Sequence, residues 1–313
     1  MRAVVVEAPG GPDVLTLAEL PEPTPDVQQI VVAVEAAGVN PVDVGNRMDN
    51  SWAGLECPYV VGYEFAGTVA DVNGCDTDLS VGDPVWGVLP ARGTRWGAYA
   101  ERVAVDVSHV APRPTRLDAV SAAVLPLAGG TAIQTLRRLD LPAGAWLLVY
   151  GASGGVGHLL TQLAAARGIN VVAVSGPAYR TGLLDLGARL WLDRAESPSP
   201  AAAVTERLGQ PIDAAVDLVG GQLVDAQAYV RPGGQLATIV DLAGDFDVAI
   251  DRNLTIHGVL LAPDRQLLDD LSAAVEAGVR PIVRGSYPLA EASVAHERME
   301  AGGVGGKLAI VTR

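Results

Sequence analysis

A glycine-rich turn between a predicted strand and a predicted helix constrains the fold more than any other feature. The apolar run Ala145–Tyr150 predicts a strand and residues 158–167 predict a helix, with the segment GASGGVG between them at 151–157. Glycines allow a tight turn and a close approach of backbone to phosphate, and the N–H groups at the helix start attract it. This order predicts a site for a dinucleotide pyrophosphate. The predicted contacts are Ser153, Gly154, Gly155 and Val156.

Two patterns divide the 313-residue chain. Up to residue 116, short apolar runs such as Ala3–Val6 and Ile30–Val34 alternate with Gly and Pro, which is typical of a β-rich barrel. After a helical stretch over 117–139, strands and helices alternate, which predicts an open, doubly wound parallel sheet. The predicted helices include one over 222–230. The predicted strands are Ala145–Tyr150, Val171–Ser175, Leu190–Asp193, Ala214–Val219, Gln235–Val240 and Leu254–Leu261. The final residues again resemble short strands. We therefore predict an α/β protein with one domain at 1–116 and 279–313 and a nucleotide-binding domain at 117–278.

Composition narrows the class of partner. The net charge is −14, from 22 basic and 36 acidic residues, which argues against nucleic acid as a partner. No apolar run approaches the roughly 20 residues of a membrane helix, and the N-terminus lacks the apolar centre of a signal peptide. We expect a soluble, cytoplasmic protein that acts on a small molecule. Two isolated cysteines, Cys57 and Cys75, form no metal or redox motif.

The second strand of the parallel sheet indicates which dinucleotide binds. An acidic residue about 20 positions past the glycines usually binds a free ribose hydroxyl. Here the strand Val171–Ser175 ends without a carboxylate, and Arg180 follows within the next turn. A hydroxyl and a guanidinium suit a 2′-phosphate, so we predict NADPH rather than NADH. The alternative is that Arg180 is a solvated surface side chain. Tyr179 and Val219 complete the predicted cofactor contacts.

Six motifs in order resemble the quinone oxidoreductase branch of the medium-chain dehydrogenase/reductase superfamily. The resemblance covers nearly the whole chain. The motifs are AGVNPVD at 37–43, GYEFAG at 62–67 with VGDPV at 81–85, GAYAE at 97–101, LPLAGGTA at 125–132, the glycine loop, and RPGG at 231–234 with GKL at 306–308.

The resemblance implies a GroES-like β-barrel catalytic domain joined to a Rossmann NADP-binding domain. It also implies a homodimer joined through an edge of the nucleotide-domain sheet. Zinc-dependent relatives carry a cysteine near the Asn40 position and a histidine at the Tyr63 position, together with a four-cysteine lobe. This chain carries none of these, and its four histidines have no partner in sequence, so we expect no metal.

Such zinc-free enzymes pass hydride from NADPH to a quinone or to the β-carbon of an α,β-unsaturated carbonyl. The resemblance places Asn40 near the nicotinamide, the Tyr63 hydroxyl towards the substrate and Thr131 near the cofactor. Structural alternatives remain at each position. Asn40 could be a turn residue before Pro41, Tyr63 a packed aromatic, and Thr131 a helix hydroxyl bonded to its own backbone. Asp43 is expected to cap or orient a loop rather than to donate protons.

Tryptophans are the candidate walls of a substrate pocket. Trp52 and Trp96 lie in Gly- and Arg-flanked loops and are predicted to line it, whereas Trp86 alternates with valines and is predicted to be core. Many quinone reductases carry tyrosines shortly after the Asn40 segment, where this chain has Gly45 and, further on, Ser51 and Trp52. This departure argues against simple quinone reduction and leaves room for an enoyl or alkenal reductase of specialised metabolism. A non-redox cyclase or isomerase and a nucleotide-binding sensor remain alternatives.

Overall fold

The computed structural model describes residues 1–312. These residues form two compact units, one of residues 1–130 with 262–312 and one of Thr131–Leu261. The unit boundaries lie 14 residues after the predicted limit at 116 and 17 residues before the predicted limit at 278. The domain limits drawn from the sequence stay a prediction, because a division by compactness does not test which segments fold together.

Strands supply most of the regular structure of the first unit and the whole central layer of the second. In chain order they are β1 (Arg2–Val6), β2 (Leu15–Glu19), β3 (Gln29–Val39), β4 (Tyr59–Val60), β5 (Glu64–Asp71), β6 (Pro84–Val88), β7 (Arg102–Asp106), β8 (Val110–Pro112), β9 (Trp146–Tyr150), β10 (Asn170–Ser175), β11 (Leu190–Asp193), β12 (Ile212–Asp217), β13 (Val230–Thr238), β14 (Thr255–Gly258), β15 (Val283–Pro288) and β16 (Lys307–Val311).

Helices follow most strands from residue 119 onwards. In chain order they are α1 (Pro41–Met48), α2 (Ala119–Ala123), α3 (Pro126–Leu139), α4 (Gly155–Ala166), α5 (Arg180–Asp185), α6 (Pro200–Leu208), α7 (Leu223–Ala226), α8 (Asp247–Asp251), α9 (Arg265–Glu276) and α10 (Ala292–Glu300). Among residues 1–312, no helix is long and apolar enough to span a membrane.

The second unit is built on a six-stranded sheet in which every neighbouring pair is parallel. Its strand order is β11-β10-β9-β12-β13-β14, which in chain numbering reads 3-2-1-4-5-6. This is the doubly wound order of dinucleotide-binding folds. The apolar runs at the centre of the sheet, such as Leu147–Val149, are fully buried, as expected for strands covered on both faces. The predicted parallel sheet is therefore confirmed.

The first unit holds a three-stranded sheet, β2-β1-β4, and a seven-stranded sheet. The larger sheet runs β15-β16-β3-β5-β6-β8, with β7 paired to the outer part of β3. Apart from the parallel pair β15–β16, its strands are antiparallel. The C-terminal strand β16 pairs with β3, so the end of the chain returns to the N-terminal sheet as the sequence predicts. One core of buried apolar side chains joins both sheets.

Several local predictions were wrong in their limits or missed an element. The single helix predicted over 117–139 is two helices, because Pro126 lacks an N–H group and disfavours helical geometry at Leu125. The helix predicted over 222–230 is limited to the single turn α7, and β14 is shorter than the strand predicted over 254–261. Helices α1 and α10 were not predicted at all, and α10 lies where only short strands were expected.

Candidate functional site

The glycine loop lies where the six-stranded sheet reverses its winding. β9 and β12 are adjacent parallel strands, and Tyr150 at the end of β9 pairs with Asp217 at the end of β12. Gly151 follows with φ +77°, a left-handed conformation that favours glycine. A Cβ on Gly151 would lie 2.6 Å from Cγ1 of Val219. The loop after β9 and the loop after β12 therefore touch at the carboxyl edge, where such sheets bind their ligands.

The start of α4 fits a pyrophosphate in two respects. A Cβ on Gly157 would lie 2.3 Å from the Gly151 carbonyl oxygen and 2.7 Å from Cα of Ala152, so only glycine allows the helix to approach the strand this closely. The residue before the helix, Gly154, has no side chain and makes no capping hydrogen bond. The first N–H groups of α4, those of Gly155 and Val156, thus have no helical partner and no cap. A phosphate supplies the acceptors that such a helix end requires.

Asp217 fixes the loop that carries Val219. Its Oδ1 accepts hydrogen bonds from the N–H groups of Val219 at 2.9 Å and Gly220 at 2.8 Å, and its Oδ2 accepts from Gln222 at 2.7 Å. Asp217 is buried, whereas the Val219 side chain is 60% exposed beside the glycine loop. An apolar side chain held open at this edge can pack against a planar ligand group.

Trp191 contacts both Ser175 and Arg180, the two residues predicted to distinguish NADPH from NADH. Its Nε1 donates a hydrogen bond to Oγ of Ser175 at 2.9 Å. The Arg180 guanidinium lies over the same indole ring, 5.5 Å from the ring centroid. Ser175 ends β10 beside the glycine loop, because Val174 pairs with Tyr150 of β9. A hydroxyl and an exposed guanidinium thus lie at the carboxyl edge of the strand next to the loop.

Two other predicted cofactor residues lie in helical segments. Thr131 is buried in α3, where its carbonyl accepts a hydrogen bond from the Thr135 hydroxyl at 2.8 Å. Tyr179 is half-buried in the turn that leads into α5, directly before Arg180. Neither placement tests a contact with a cofactor, and both roles stay predictions.

In the first unit, the Asn40 amide belongs to a buried ion cluster. Its Nδ2 donates a hydrogen bond to Oε1 of Glu64 at 2.9 Å, and its Oδ1 accepts one from Nζ of Lys307. Nζ also lies 2.7 Å from Oε1 of Glu64 and donates to the Val39 carbonyl at 3.0 Å. The second Glu64 oxygen accepts from the Leu127 N–H at 2.8 Å. The cluster therefore fixes the orientation of the Asn40 amide, which retains a second N–H hydrogen.

Asp43 caps α1, a helix that the sequence analysis did not predict. Its Oδ2 accepts a hydrogen bond from the Asn40 N–H at 2.6 Å, and its Oδ1 accepts from the Gly62 N–H at 3.2 Å. Burial raises the pKa of this carboxyl to about 7, although both backbone hydrogen bonds and the charge of Lys307 act in the opposite direction. Asp43 therefore joins the start of α1 to the residue before Tyr63.

The side-chain amide of Asn46 links the Tyr63 hydroxyl to the loop that contains Ala91. Asn46 of α1 donates from Nδ2 to the Tyr63 hydroxyl oxygen at 2.7 Å and to the Ala91 carbonyl at 2.9 Å. Burial raises the pKa of Tyr63 above its usual range, so the phenol stays protonated at neutral pH. Its side chain has no exposed area. Tyr63 is therefore a packed aromatic residue in this structure, and its contact with a substrate stays a prediction.

The tryptophans of the first unit differ in burial. Trp52 is 45% exposed and Trp96 is 43% exposed, whereas Trp86 is fully buried, as predicted. An arginine covers each exposed ring, with Arg92 over Trp52 at 5.3 Å and Arg95 over Trp96 at 4.9 Å. The pocket role of the two exposed rings stays a prediction.

Sequence reasoning missed the partners that hold the predicted residues. Glu64 and Lys307 orient Asn40, Asn46 binds Tyr63, and Trp191 joins Ser175 to Arg180. One signal was available, because Lys307 is the only lysine in the chain. Within residues 1–312, no group of three or more His, Cys, Asp or Glu side chains is arranged to hold a metal ion.

Comparisons with known proteins cover both parts of the chain. A family model described as an alcohol dehydrogenase GroES-like domain matches residues 26–115, and one described as a zinc-binding dehydrogenase matches residues 186–310. The chain is 30% identical to an NADPH-dependent alkenal/one oxidoreductase, chloroplastic, of Arabidopsis thaliana, over 99% of this chain and 79% of the plant protein.

Two further likenesses extend over nearly whole chains. The chain is 29% identical to a quinone oxidoreductase of Rattus norvegicus, over 95% of this chain and 93% of the rat protein. A solved mycobacterial structure in complex with NADPH is 30% identical, covers 100% of both chains and superposes with a TM-score of 0.88. The structural likeness agrees with the two-unit fold described above.

Proposed function

This chain belongs to the medium-chain dehydrogenase/reductase superfamily, in its quinone oxidoreductase-like branch, and we propose that it is a zinc-independent reductase of quinones or α,β-unsaturated carbonyls that uses NADPH. The observation that carries the proposal is the uncapped glycine loop at the reversal point of a 3-2-1-4-5-6 sheet. The names of the plant and rat relatives support the class of acceptor.

Two sets of residues would hold the cofactor. Ser153, Gly154, Gly155 and Val156 would bind the pyrophosphate through backbone N–H groups at the start of α4. Ser175 and Arg180 would bind the 2′-phosphate of NADPH, because the guanidinium matches phosphate. The Ser175 hydroxyl accepts from Trp191 and donates to the Gly176 carbonyl at 3.1 Å, and it would have to give up that second bond to donate to the phosphate. Thr131, Tyr179 and Val219 would line the rest of the site. When bound, the nicotinamide supplies the hydride.

The acceptor would need a hydrogen-bond donor at its carbonyl oxygen. That oxygen gains negative charge during reduction, and a donor fixed beside it lowers the barrier. Tyr63 suits this role chemically, because its raised pKa keeps the phenol protonated while Asn46 donates to its oxygen. Asn40 is the second candidate, because Glu64 and Lys307 hold its amide in one orientation. A side chain or water would then protonate the α-carbon.

NADPH oxidation at 340 nm tests the reaction class. With purified protein, we expect turnover with at least one member of a panel of quinones and enones, together with one equivalent of reduced product per NADPH consumed. No turnover with any acceptor would contradict the proposal. A product formed without oxidation of NADPH would instead indicate a cyclase or isomerase.

Arg180→Ala tests the choice of dinucleotide. We expect kcat/KM for NADPH to fall about 10- to 100-fold, because a charge-assisted contact of about 1.5–3 kcal/mol is lost, while kcat/KM for NADH stays nearly constant. Arg189→Ala is a control in the same unit, since Arg189 lies outside the proposed site. Equal use of both cofactors by the unmodified enzyme, unchanged in Arg180→Ala, would contradict the assignment.

The homodimer predicted from the resemblance would form at the β14 edge of the six-stranded sheet. β14 is the last strand there, so its outer backbone groups have no strand partner within the described sheet. Exposed apolar side chains follow it and precede it, including Leu260 at 55% and Ile250 at 75% exposure. Light scattering after size exclusion should give twice the mass of one chain. The cytoplasmic location stays a prediction.

A further inference from the structure

One exposed loop of the first unit presents two arginines, each of which lies over an aromatic ring. Arg92 lies over Trp52 and Arg95 over Trp96, with guanidinium-to-centroid distances of 5.3 and 4.9 Å. Both arginines are exposed, and neither forms an ion pair with any of residues 1–312. Glu56 is exposed on the segment that carries Trp52, and it pairs with neither of them. In a chain of net charge −14, two such cations are available to an external anion.

Backbone hydrogen bonds join this loop and the loop that carries Trp52 into one surface. The Gly93 N–H donates to the Ala53 carbonyl at 2.8 Å, so the loop that carries the arginines lies against the loop that carries Trp52. The Val60 N–H donates to the Arg95 carbonyl at 2.9 Å. Nε of Arg95 donates to the Pro58 carbonyl at 2.9 Å, and this bond orients the guanidinium of Arg95. The bond does not use the two terminal NH2 groups of the guanidinium. We call these four side chains, Trp52, Arg92, Arg95 and Trp96, the Arg/Trp surface.

Hydrogen bonds link the loop that carries Arg92 to Tyr63, the predicted acceptor residue, whose own side chain is fully buried. Asn46 donates both to the Tyr63 hydroxyl and to the carbonyl of Ala91, the residue directly before Arg92. The Leu89 N–H donates to the Tyr63 carbonyl at 2.7 Å. The loop that carries Arg92 therefore begins at the backbone of Tyr63 and is held by the same amide that binds its hydroxyl.

These contacts select a planar, negatively charged ligand. An indole ring offers a flat apolar face, and a guanidinium stacks on a ring while its edge donates two parallel hydrogen bonds to a carboxylate or sulfonate. A neutral ring would use the aromatic faces alone. We propose that the Arg/Trp surface binds the anionic group of an aromatic or conjugated acceptor, so that the enzyme prefers acceptors that carry a carboxylate or sulfonate. The preference among acceptors during turnover rests on the proposed reductase function.

Binding without cofactor separates this inference from the proposed function. Isothermal titration calorimetry with 2-naphthoate and with neutral 2-naphthamide should show tighter binding of the anion by about 10-fold or more, since hydrogen bonds to charged groups are the stronger ones. The preference should decrease as salt rises from about 0.05 to 0.5 M, because the surface is exposed. Equal affinities, or no dependence on salt, would overturn the inference whether or not the protein reduces quinones.

Variants identify the cations responsible. Arg92→Ala and Arg95→Ala should each reduce the ratio of anion to neutral affinity by about 10-fold, and the corresponding lysine variants should retain part of it, because lysine keeps the charge without the paired donors. Arg102→Ala is the matched control, since Arg102 is an exposed arginine of the same unit that pairs with Glu22 at 3.3 Å. A preference that survives in the double variant Arg92→Ala/Arg95→Ala would overturn the inference.

Turnover supplies the second arm. If the protein oxidises NADPH with quinones, kcat/KM for 1,4-naphthoquinone-2-sulfonate relative to 1,4-naphthoquinone should fall in Arg92→Ala and Arg95→Ala but not in Arg102→Ala. A constant ratio in all three variants would overturn the inference while leaving the reductase proposal intact. Arginine-dependent binding of 2-naphthoate with no turnover of any quinone or enone would support the inference and contradict the reductase proposal.

Discussion

Replacing Lys307 by methionine should reduce the free energy of unfolding by about 3–5 kcal/mol. The Lys307 side chain is 2% exposed and its Nζ lies 2.7 Å from Oε1 of Glu64, which is fully buried. At an effective dielectric constant of about 20, two unit charges at this distance attract by roughly 6 kcal/mol. Removal of one partner leaves a carboxylate buried without its cation, which is the costly way to break such a pair. Methionine fills most of the lysine volume, so the expected loss is electrostatic rather than a cavity effect.

Equilibrium urea unfolding at pH 7 and 25 °C gives the required free energies for Lys307→Met, Glu64→Gln and the double variant. We expect the double variant to be less destabilised than the sum of the single variants by about 2–4 kcal/mol, because the second substitution removes the charge that the first leaves unpaired. The exposed pair Arg265–Asp78, at 3.0 Å, is the control, and Arg265→Met should cost about 1 kcal/mol or less.

The comparison of single and double variants shows whether charge holds the cluster of Glu64, Lys307 and Asn40 together. If Lys307→Met cost no more than Arg265→Met, or if the Lys307 and Glu64 effects simply added, the cluster would not be held by charge. The argument that Glu64 and Lys307 orient the Asn40 amide would then fail, because that orientation depends on both contacts.

Three further changes test separate parts of the structure. Gly157→Ala should reduce the free energy of unfolding by about 1–3 kcal/mol, because the added Cβ would lie 2.3 Å from the Gly151 carbonyl oxygen. Gly154→Ala should reduce it less in the same urea assay, because its Cβ would lie 3.3 Å from that oxygen. Burial raises the folded pKa of Asp43 from 3.8 to about 7, so its contribution to stability is present below about pH 4 and is lost as the pH rises to about 7, by up to roughly 1.4 kcal/mol per unit. Asp43→Asn should lack that slope in urea midpoints between pH 4.5 and 8, and parallel curves would contradict the assignment. Gly45→Ala should stabilise by about 0.5–1 kcal/mol in thermal unfolding, because Gly45 is an exposed helical position with no atom within 4 Å of an added Cβ; a lower stability would show that the position has another constraint.

The parallel sheet was predictable because its strands are continuous apolar runs separated by helices of the expected length. Every strand from β9 to β13 overlaps its predicted segment, and the glycine loop lies at the predicted turn. Ser175 and Arg180 were predictable for the same reason, since their place follows from the end of one strand. Their common partner Trp191 was not, because it belongs to the next strand and reaches Ser175 only across the sheet.

The ion cluster was beyond sequence reasoning for a physical reason. Lys307 and Asn40 are 267 residues apart, and they meet because β16 pairs with β3 in one register. No periodicity or spacing encodes that register. Helix α1 was not predicted because an Asn-Pro pair suits a turn as well as a helix start, whereas here Pro41 opens a helix and Asp43 caps it. Glu64 gave no local signal, since a lone acidic residue in an apolar strand has no visible partner.

A single-turnover reaction with NADPH deuterated at C4 of the nicotinamide measures the central claim most directly. The two C4 epimers are mixed separately with the protein and an α,β-unsaturated ketone, and the product is analysed by mass spectrometry and NMR. The account predicts that one epimer, and not the other, places a single deuterium on the β-carbon of the product. Unlabelled product from both epimers, or product formed while NADPH is not consumed, would contradict it.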